Sequence, residues 1–182
     1  MILFEKFKNI KRKWPKDYTL EVFLGGACGD TAWRKSIAIP LLAEAGITYY
    51  NPQVDEWKPD MVVVEAIVKE RCAMLMFVIG PETRGIASMI EATQYICEGR
   101  DVVLVLEDVK EGQTIVGQTI SASEAKDLNR GRAYIADVAQ RWAIPTFANV
   151  RDATLYVIQS ILKERESQVP VDPDTCDSTQ KE

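Results

Sequence analysis

Two runs of this chain, Cys72–Ile79 and Val102–Leu106, contain no polar side chain other than a thiol. A strand covered on one face alternates apolar and polar residues. A strand without alternation is covered on both faces, the condition of a parallel sheet layered by helices. Neither run is long enough to span a bilayer. The segments around them alternate in type. Strands are expected at 20–24, 47–50, 75–79, 102–106 and 145–147, and helices at 31–45, 59–71, 86–98, 122–142 and 151–165. Pro40 should kink or split the first helix, and Pro59 suits a first helical turn. Gly46 and Gly99 stand where helices should end. Five strand–helix units of this kind predict an α/β protein with a doubly wound five-stranded parallel sheet in the order 2-1-3-4-5.

The 182 residues fit one domain over 19–165, preceded by a basic amphipathic arm at 1–18. An acidic tail at 166–182, rich in Pro, Asp and Ser and poor in apolar residues, is expected to be solvated and disordered. The arm spaces Leu3, Phe7, Ile10 and Trp14 as a helix would. Docking on the domain or on a neighbouring subunit is one reading of it, and an anchor on an anionic surface is the other. A net charge of −5 gives no case for a nucleic-acid polymer as partner. There is no histidine, which excludes Ser-His and Cys-His nucleophile systems. The four cysteines are widely spaced with no CxxC pair, so neither a metal nor a redox cofactor is expected. The basic N-terminus lacks the apolar core of a secretory leader, and the thiols read as reduced, so a cytoplasmic protein without a membrane segment is expected.

In an open α/β sheet ligands bind beyond the carboxyl ends of the strands. Four segments converge there in the predicted topology. The first is Gly25-Gly-Ala-Cys-Gly-Asp30, whose small residues, Gly25, Gly26 and Cys28 among them, let main-chain N–H groups approach a ligand. The second is Asn51-Pro52, and the third is Gly80 to Glu91. Glu107-Asp108 lies further out. The glycine loop is neither a dinucleotide fingerprint nor a Walker loop. Glu91 opens a helix at the crevice and is the candidate for attack on, or stabilisation of, a sugar carbon. Ser88-Met-Ile-Glu91 also has the form of a capping box, and Ser121-Ala-Ser-Glu124 repeats that form where no catalytic role is expected. Arg84 suits a phosphate or carboxylate, or is a solvated turn arginine. Glu65 shares an apolar helical stripe with Met61, Val68 and Cys72, which makes it either a partly desolvated general acid or an edge residue. Trp57 and Tyr49 are sized to stack on a base or to fill the core.

At these residues the chain resembles the nucleoside 2-deoxyribosyltransferase superfamily. The resemblance covers residues 20–106 and rests on Val22-Phe-Leu-Gly-Gly26, Tyr50-Asn-Pro52, an acidic helix before the third strand, and Ser88-Met-Ile-Glu91-Ala after it. Gly85 stands six residues before Glu91, where the best-studied transferases place a glycine four before their glutamate, so the likeness is to a divergent branch. It implies a flavodoxin-like sheet, homo-oligomers, and a glutamate that forms a covalent deoxyribosyl intermediate. Carried over by position, Glu91 matches that nucleophile, Gly25 and Gly26 the loop bordering the sugar, Asn51 a contact to the base, and Ser88 the serine of phosphate-tolerant hydrolase relatives. Gly85 and Arg84 belong to the same turn. The superfamily's Ala-Asp pair before strand three is replaced by Cys72-Ala-Met74, and Glu65 is the substitute acid.

The expected function is cleavage of the N-glycosidic bond of a (deoxy)nucleoside, with the sugar passed to another base or to water. The carboxylate stabilises an oxocarbenium-like transition state, and attack on C1′ retains configuration. Two alternatives stand beside it. One is an N-glycosidase for nucleoside 5′-monophosphates or dinucleotides, and the other is a nucleotide sensor without turnover. The expected partners are a small-molecule nucleoside or nucleotide and further copies of the chain.

Overall fold

The computed structural model describes residues 14, 15, 17–56 and 58–168. Nearly all of the arm, the tail beyond 168, and Trp57 lie outside the described residues.

The central sheet is built from β1 (Leu20–Gly26), β2 (Tyr49–Tyr50), β3 (Cys72–Ile79), β4 (Val102–Leu106) and a last strand at Thr146–Phe147. A small antiparallel hairpin, β5 (Thr114–Ile115) and β6 (Gln118–Thr119), precedes that last strand, which is therefore β7. All four strand pairs in the sheet are parallel and the order is β2-β1-β3-β4-β7. This is the predicted doubly wound, flavodoxin-like arrangement. Helices α1 (Ile39–Glu44), α2 (Met61–Glu70), α3 (Ile86–Cys97), α4 (Ala122–Arg141) and α5 (Val150–Gln168) connect and cover the strands.

β3 is buried along its whole length because each face meets its own core. One pleat face of the sheet puts Val22, Leu24, Met74, Met76, Val103 and Val105 against Leu42, Val157 and Ile161 of α1 and α5. The other puts Phe23, Leu75, Phe77 and Leu104 against Ala92 and Ile96 of α3 and Ile135 and Ala139 of α4. At the edge, Arg165 of α5 donates from Nε to Glu21 Oε1 at 2.7 Å and from Nη2 to Oε2 at 2.8 Å. Thr48 donates its N–H to the same Glu21 carboxylate at 2.8 Å. This bidentate pair ties α5 to β1 and to the entry of β2.

The helix expected at 31–45 is split, as Pro40 requires, by a π-helical turn at Arg34–Ala38, followed by α1 with Pro40 in its first turn. Proline offers no N–H and crowds the preceding turn, and the chain answers with one wide turn in which Ile39 N–H reaches Arg34 O. Pro59 falls in the turn before α2, where its carbonyl accepts the Val62 N–H at 3.3 Å. The helix ends at Glu70, so Cys72 opens β3 and does not extend the helical stripe of Glu65. The hairpin β5–β6 was not expected; its turn puts Val116 and Gly117 at φ 48° and 73°, the double left-handed turn that suits two-residue hairpins. No helix among the described residues is long and apolar enough to cross a membrane.

Gly99 ends α3 as expected, at φ 77°. Its N–H reaches Ile96 O at 3.0 Å, and Arg100 N–H reaches Tyr95 O at 3.0 Å, which is a Schellman closure. α4 closes in the same way, with Ile144 N–H on Ala139 O at 2.8 Å, but an alanine, Ala143, takes the left-handed position at φ 51°. A Cβ there costs on the order of 1 kcal/mol. Ala143→Gly is therefore expected to raise unfolding stability by roughly 0.5–1 kcal/mol, and Gly99→Ala to lower it by about 1 kcal/mol. Urea titration of the two variants checks both signs.

Candidate active site

Glu91 lies in the second turn of α3, beyond the carboxyl end of β3. α3 begins at Gly85, whose φ of 68° makes the turn from the strand, and no side chain caps its first turn. Ser88 is inside the helix and buried. The capping-box form of Ser88–Glu91 is thus not realised. Its sequence twin is realised in part: Ser121 Oγ accepts the Glu124 N–H at 3.2 Å and caps α4.

The group that holds Glu91 is Lys69, from the last turn of α2. Lys69 Nζ donates to Glu91 Oε1 at 2.7 Å and to Glu65 Oε2 at 3.3 Å. Its side chain is 2% exposed, Glu65's 14% and Glu91's 35%. The ammonium also lies 4.8 Å from the centre of the Phe23 ring and 5.9 Å from that of Tyr95, close enough for cation–π attraction. Among the described residues Glu91 Oε2 has no hydrogen-bond partner and Glu91 remains partly open to solvent. Lys69 is placed by Arg100, which donates from Nη2 to Lys69 O at 2.8 Å and to Cys72 O at 2.7 Å. Arg100 follows the Schellman turn of α3, so one side chain fixes the end of α2 against the end of α3.

The glycine loop stands over the same ground. Burial pushes the Cys28 thiol above its ordinary range; Arg34 opposes this, and the negative fields of Glu65 and Glu91 add to it. Cys28 therefore shares one electrostatic environment with both carboxylates. Its thiol donates to Pro52 O at 3.5 Å, and Gln53 Nε2 donates to Gly29 O and Thr31 O at 3.1 Å each. These bonds join the loops after β1 and β2. Arg34 lies fully buried beneath the loop. It donates to Leu24 O at 3.0 Å, Gly26 O at 2.8 Å and Ala27 O at 3.0 Å, and burial lowers its pKa to about 10.

Glycine is required at two loop positions for a reason other than ligand approach. A Cβ on Gly25 would lie 2.6 Å from the Phe77 ring, and one on Gly26 would lie 2.6 Å from Val78 O. Both close approaches are to β3. Gly85 is similarly confined, 2.9 Å from Ile79 Cγ2.

The remaining candidates divide. Asn51 is exposed and its Oδ1 accepts the Gln53 N–H at 3.0 Å, closing its own turn. Arg84 turns toward α4 and the hairpin, donating to Glu124 Oε1 at 3.0 Å and Gln118 Oε1 at 2.9 Å. It is thereby separated from Glu91. Tyr49 packs against the core face of α1 and α5. Lys69 and Gln53 were not singled out in the sequence. Lys69 carried a signal, a Glu at i−4 in a helix otherwise rich in valine.

Two clefts lie to one side of this constellation. One, of about 530 Å³, opens beyond β4 and is lined by Pro81, Glu107, Asp108, Lys110 and Gln113. Burial and the nearby Glu82 raise the Glu107 carboxyl above its ordinary range. The other, of about 750 Å³, runs between α3 and α4 past Ile86, Met89 and Leu128. Neither is lined by Glu65, Lys69 or Glu91. Among the described residues no group of three His, Cys, Asp or Glu side chains is placed to hold a metal ion.

No curated protein matches the chain. A family model described as nucleoside 2-deoxyribosyltransferase like matches residues 19–109. That span runs from the start of β1 past the end of β4 and contains the glycine loop, Glu65, Lys69 and Glu91. A match over half of the chain, on the segment that forms the sheet's carboxyl edge, establishes that the protein belongs to the nucleoside 2-deoxyribosyltransferase-like family.

Proposed function

We propose that this protein cleaves the N-glycosidic bond of a (deoxy)nucleoside and passes the sugar to a second base or to water, with Glu91 as nucleophile and Glu65 as the acid that protonates the leaving base. The observation that carries the reading is the pair of carboxylates bound to one ammonium at the crevice. Lys69 Nζ bonds one oxygen of each, at 2.7 Å and 3.3 Å, so the two carboxylates stand close together, which accords with the pairing used by retaining glycosidases. In the first step Glu91 Oε2 bonds to C1′ as the C1′–N bond breaks. The electron pair leaves with the base, which takes a proton from Glu65. In the second step a base nitrogen or a water oxygen displaces Glu91 from C1′ and gives its proton to the Glu65 carboxylate, which restores both groups.

A nucleoside 5′-monophosphate as the substrate is favoured by one feature, Arg34. Its charge is buried beneath Gly26–Cys28 with no carboxylate in salt-bridge range among the described residues. Assembly into homo-oligomers belongs to the same proposal. It is supported by Val62, Val63, Val64 and Ile67 of α2 and Ile86 and Ile90 of α3, all more than half exposed, an apolar display larger than scattered surface residues account for.

Deoxyinosine incubated with the protein, with and without adenine, should release hypoxanthine or form deoxyadenosine. Glu91→Gln, which keeps an oxygen for Lys69, should lower that turnover at least ~10³-fold. Ser121→Ala should leave turnover unchanged and lower stability by about 1 kcal/mol. Full turnover by Glu91→Gln removes Glu91 from the mechanism; binding of nucleosides and nucleotides without release of base selects a sensor instead. Light scattering of the full chain is expected to give a mass of two or more copies, and a single-chain mass would refute the assembly.

A further inference from the structure

We infer that Lys69 is the positioning residue of this site: it fixes the Glu91 carboxylate through Oε1 and so presents Oε2 to the anomeric carbon. The inference rests on the reading of Glu91 as nucleophile. Lysine is almost never fully buried unless paired, and Lys69, at 1% exposed over the whole residue, is among the largest wholly buried side chains of the protein. Among the described residues its Nζ bonds only the two carboxylates and otherwise faces the Phe23 and Tyr95 rings.

Stability does not explain such a group. Apolar side chains in place of the whole cluster, lysine and carboxylates together, would avoid the desolvation of charge, and buried ion pairs are often no more stabilising than such replacements. What the ammonium supplies is geometry. Glu91 has three side-chain torsions and sits partly in solvent on an otherwise uncapped helical turn. One bond at 2.7 Å to a cation that Arg100 and two aromatic rings hold still removes most of that freedom. Displacement of a reacting atom by about 1 Å costs on the order of 10²-fold in rate, so a fixed carboxylate is worth that much to the attack. Glu65, on the same ammonium, is held in register with it.

The test is covalent labelling of Glu91 by a 2′-deoxy-2′-fluoro-arabinosyl nucleoside, followed by mass spectrometry of the intact protein and its peptides. Glu91 Oε2 bonds to C1′, the base departs with the glycosidic electron pair and a proton, and fluorine slows hydrolysis of the ester so that it accumulates. Lys69→Met is expected to label at least ~100-fold more slowly than the wild type, with probe affinity within about threefold and a lowered melting temperature, because the two carboxylates lose their shared cation. Lys69→Arg keeps the charge on a wider, planar head; it should label faster than Lys69→Met but still at least ~10-fold below the wild type. If Lys69→Met does not fold, the Lys69→Arg rate decides alone. Labelling of folded Lys69→Met, or of Lys69→Arg, at the wild-type rate overturns the positioning role and leaves Glu91 as nucleophile. A wild-type protein that never acquires the adduct overturns the nucleophile and this inference with it.

Discussion

A parallel sheet covered on both faces satisfies its main chain along the strands and leaves it unsatisfied at the strand ends. In this protein buried guanidinium groups take up those ends. Arg34 collects the carbonyls of Leu24, Gly26 and Ala27 where β1 runs out. Arg132, from α4, collects Gly80, Thr83 and Glu107 where β3 and β4 run out. Arg100 does the same at the opposite edge, on Lys69 and Cys72. A buried carbonyl without a donor costs on the order of 1–3 kcal/mol, so loops at this edge stand only where such donors reach them. Arginine suits the task because its planar fork serves several carbonyls at once.

The consequence is a site built on fixed supports. The loop after β1 is pinned from below by Arg34 and from the side by Gln53, and its glycines press on β3. The turn before α3 is pinned by Arg132, which reaches Gly80 O and Thr83 O. α2 touches the sheet less than α3 does, and Arg100 and Lys69 are what join it to α3. Each support acts on main chain or on a carboxylate, leaving the outward oxygen of Glu91 without a competing donor among the described residues.

How much of this was readable in the chain depends on the range of the interaction. β3 and β4 were legible because their burial on both faces is written in consecutive residues. The ends of α1 and α3 were legible from Gly46 and Gly99, since a left-handed turn is a local demand. The cap of α4 was legible for the same reason. Ser88–Glu91 had the identical local form, but α3 starts three residues earlier, at Gly85, and places Ser88 in the interior. Lys69 was the main omission. Read locally, it is an ordinary partner for Glu65 at i−4 on a solvated helix face. Its burial follows from Glu91, 22 residues away, and from the rings of Phe23 and Tyr95 on other elements. Gly25 and Gly26 were legible as close-approach positions, but not as approaches to Phe77 and Val78 on the neighbouring strand.

The charges at the crevice also fix which way a substrate would lie. The ionised Glu91 carboxylate favours the cationic character of an oxocarbenium-like transition state and repels an anionic group placed on it. Arg34 lies beneath the glycine loop, and its positive charge has no carboxylate bonded to it among the described residues. A sugar whose C1′ faces Glu91 would therefore direct its 5′ end toward that loop, where any phosphate meets the favourable field. The base then points away from the loop, toward Glu65 on α2.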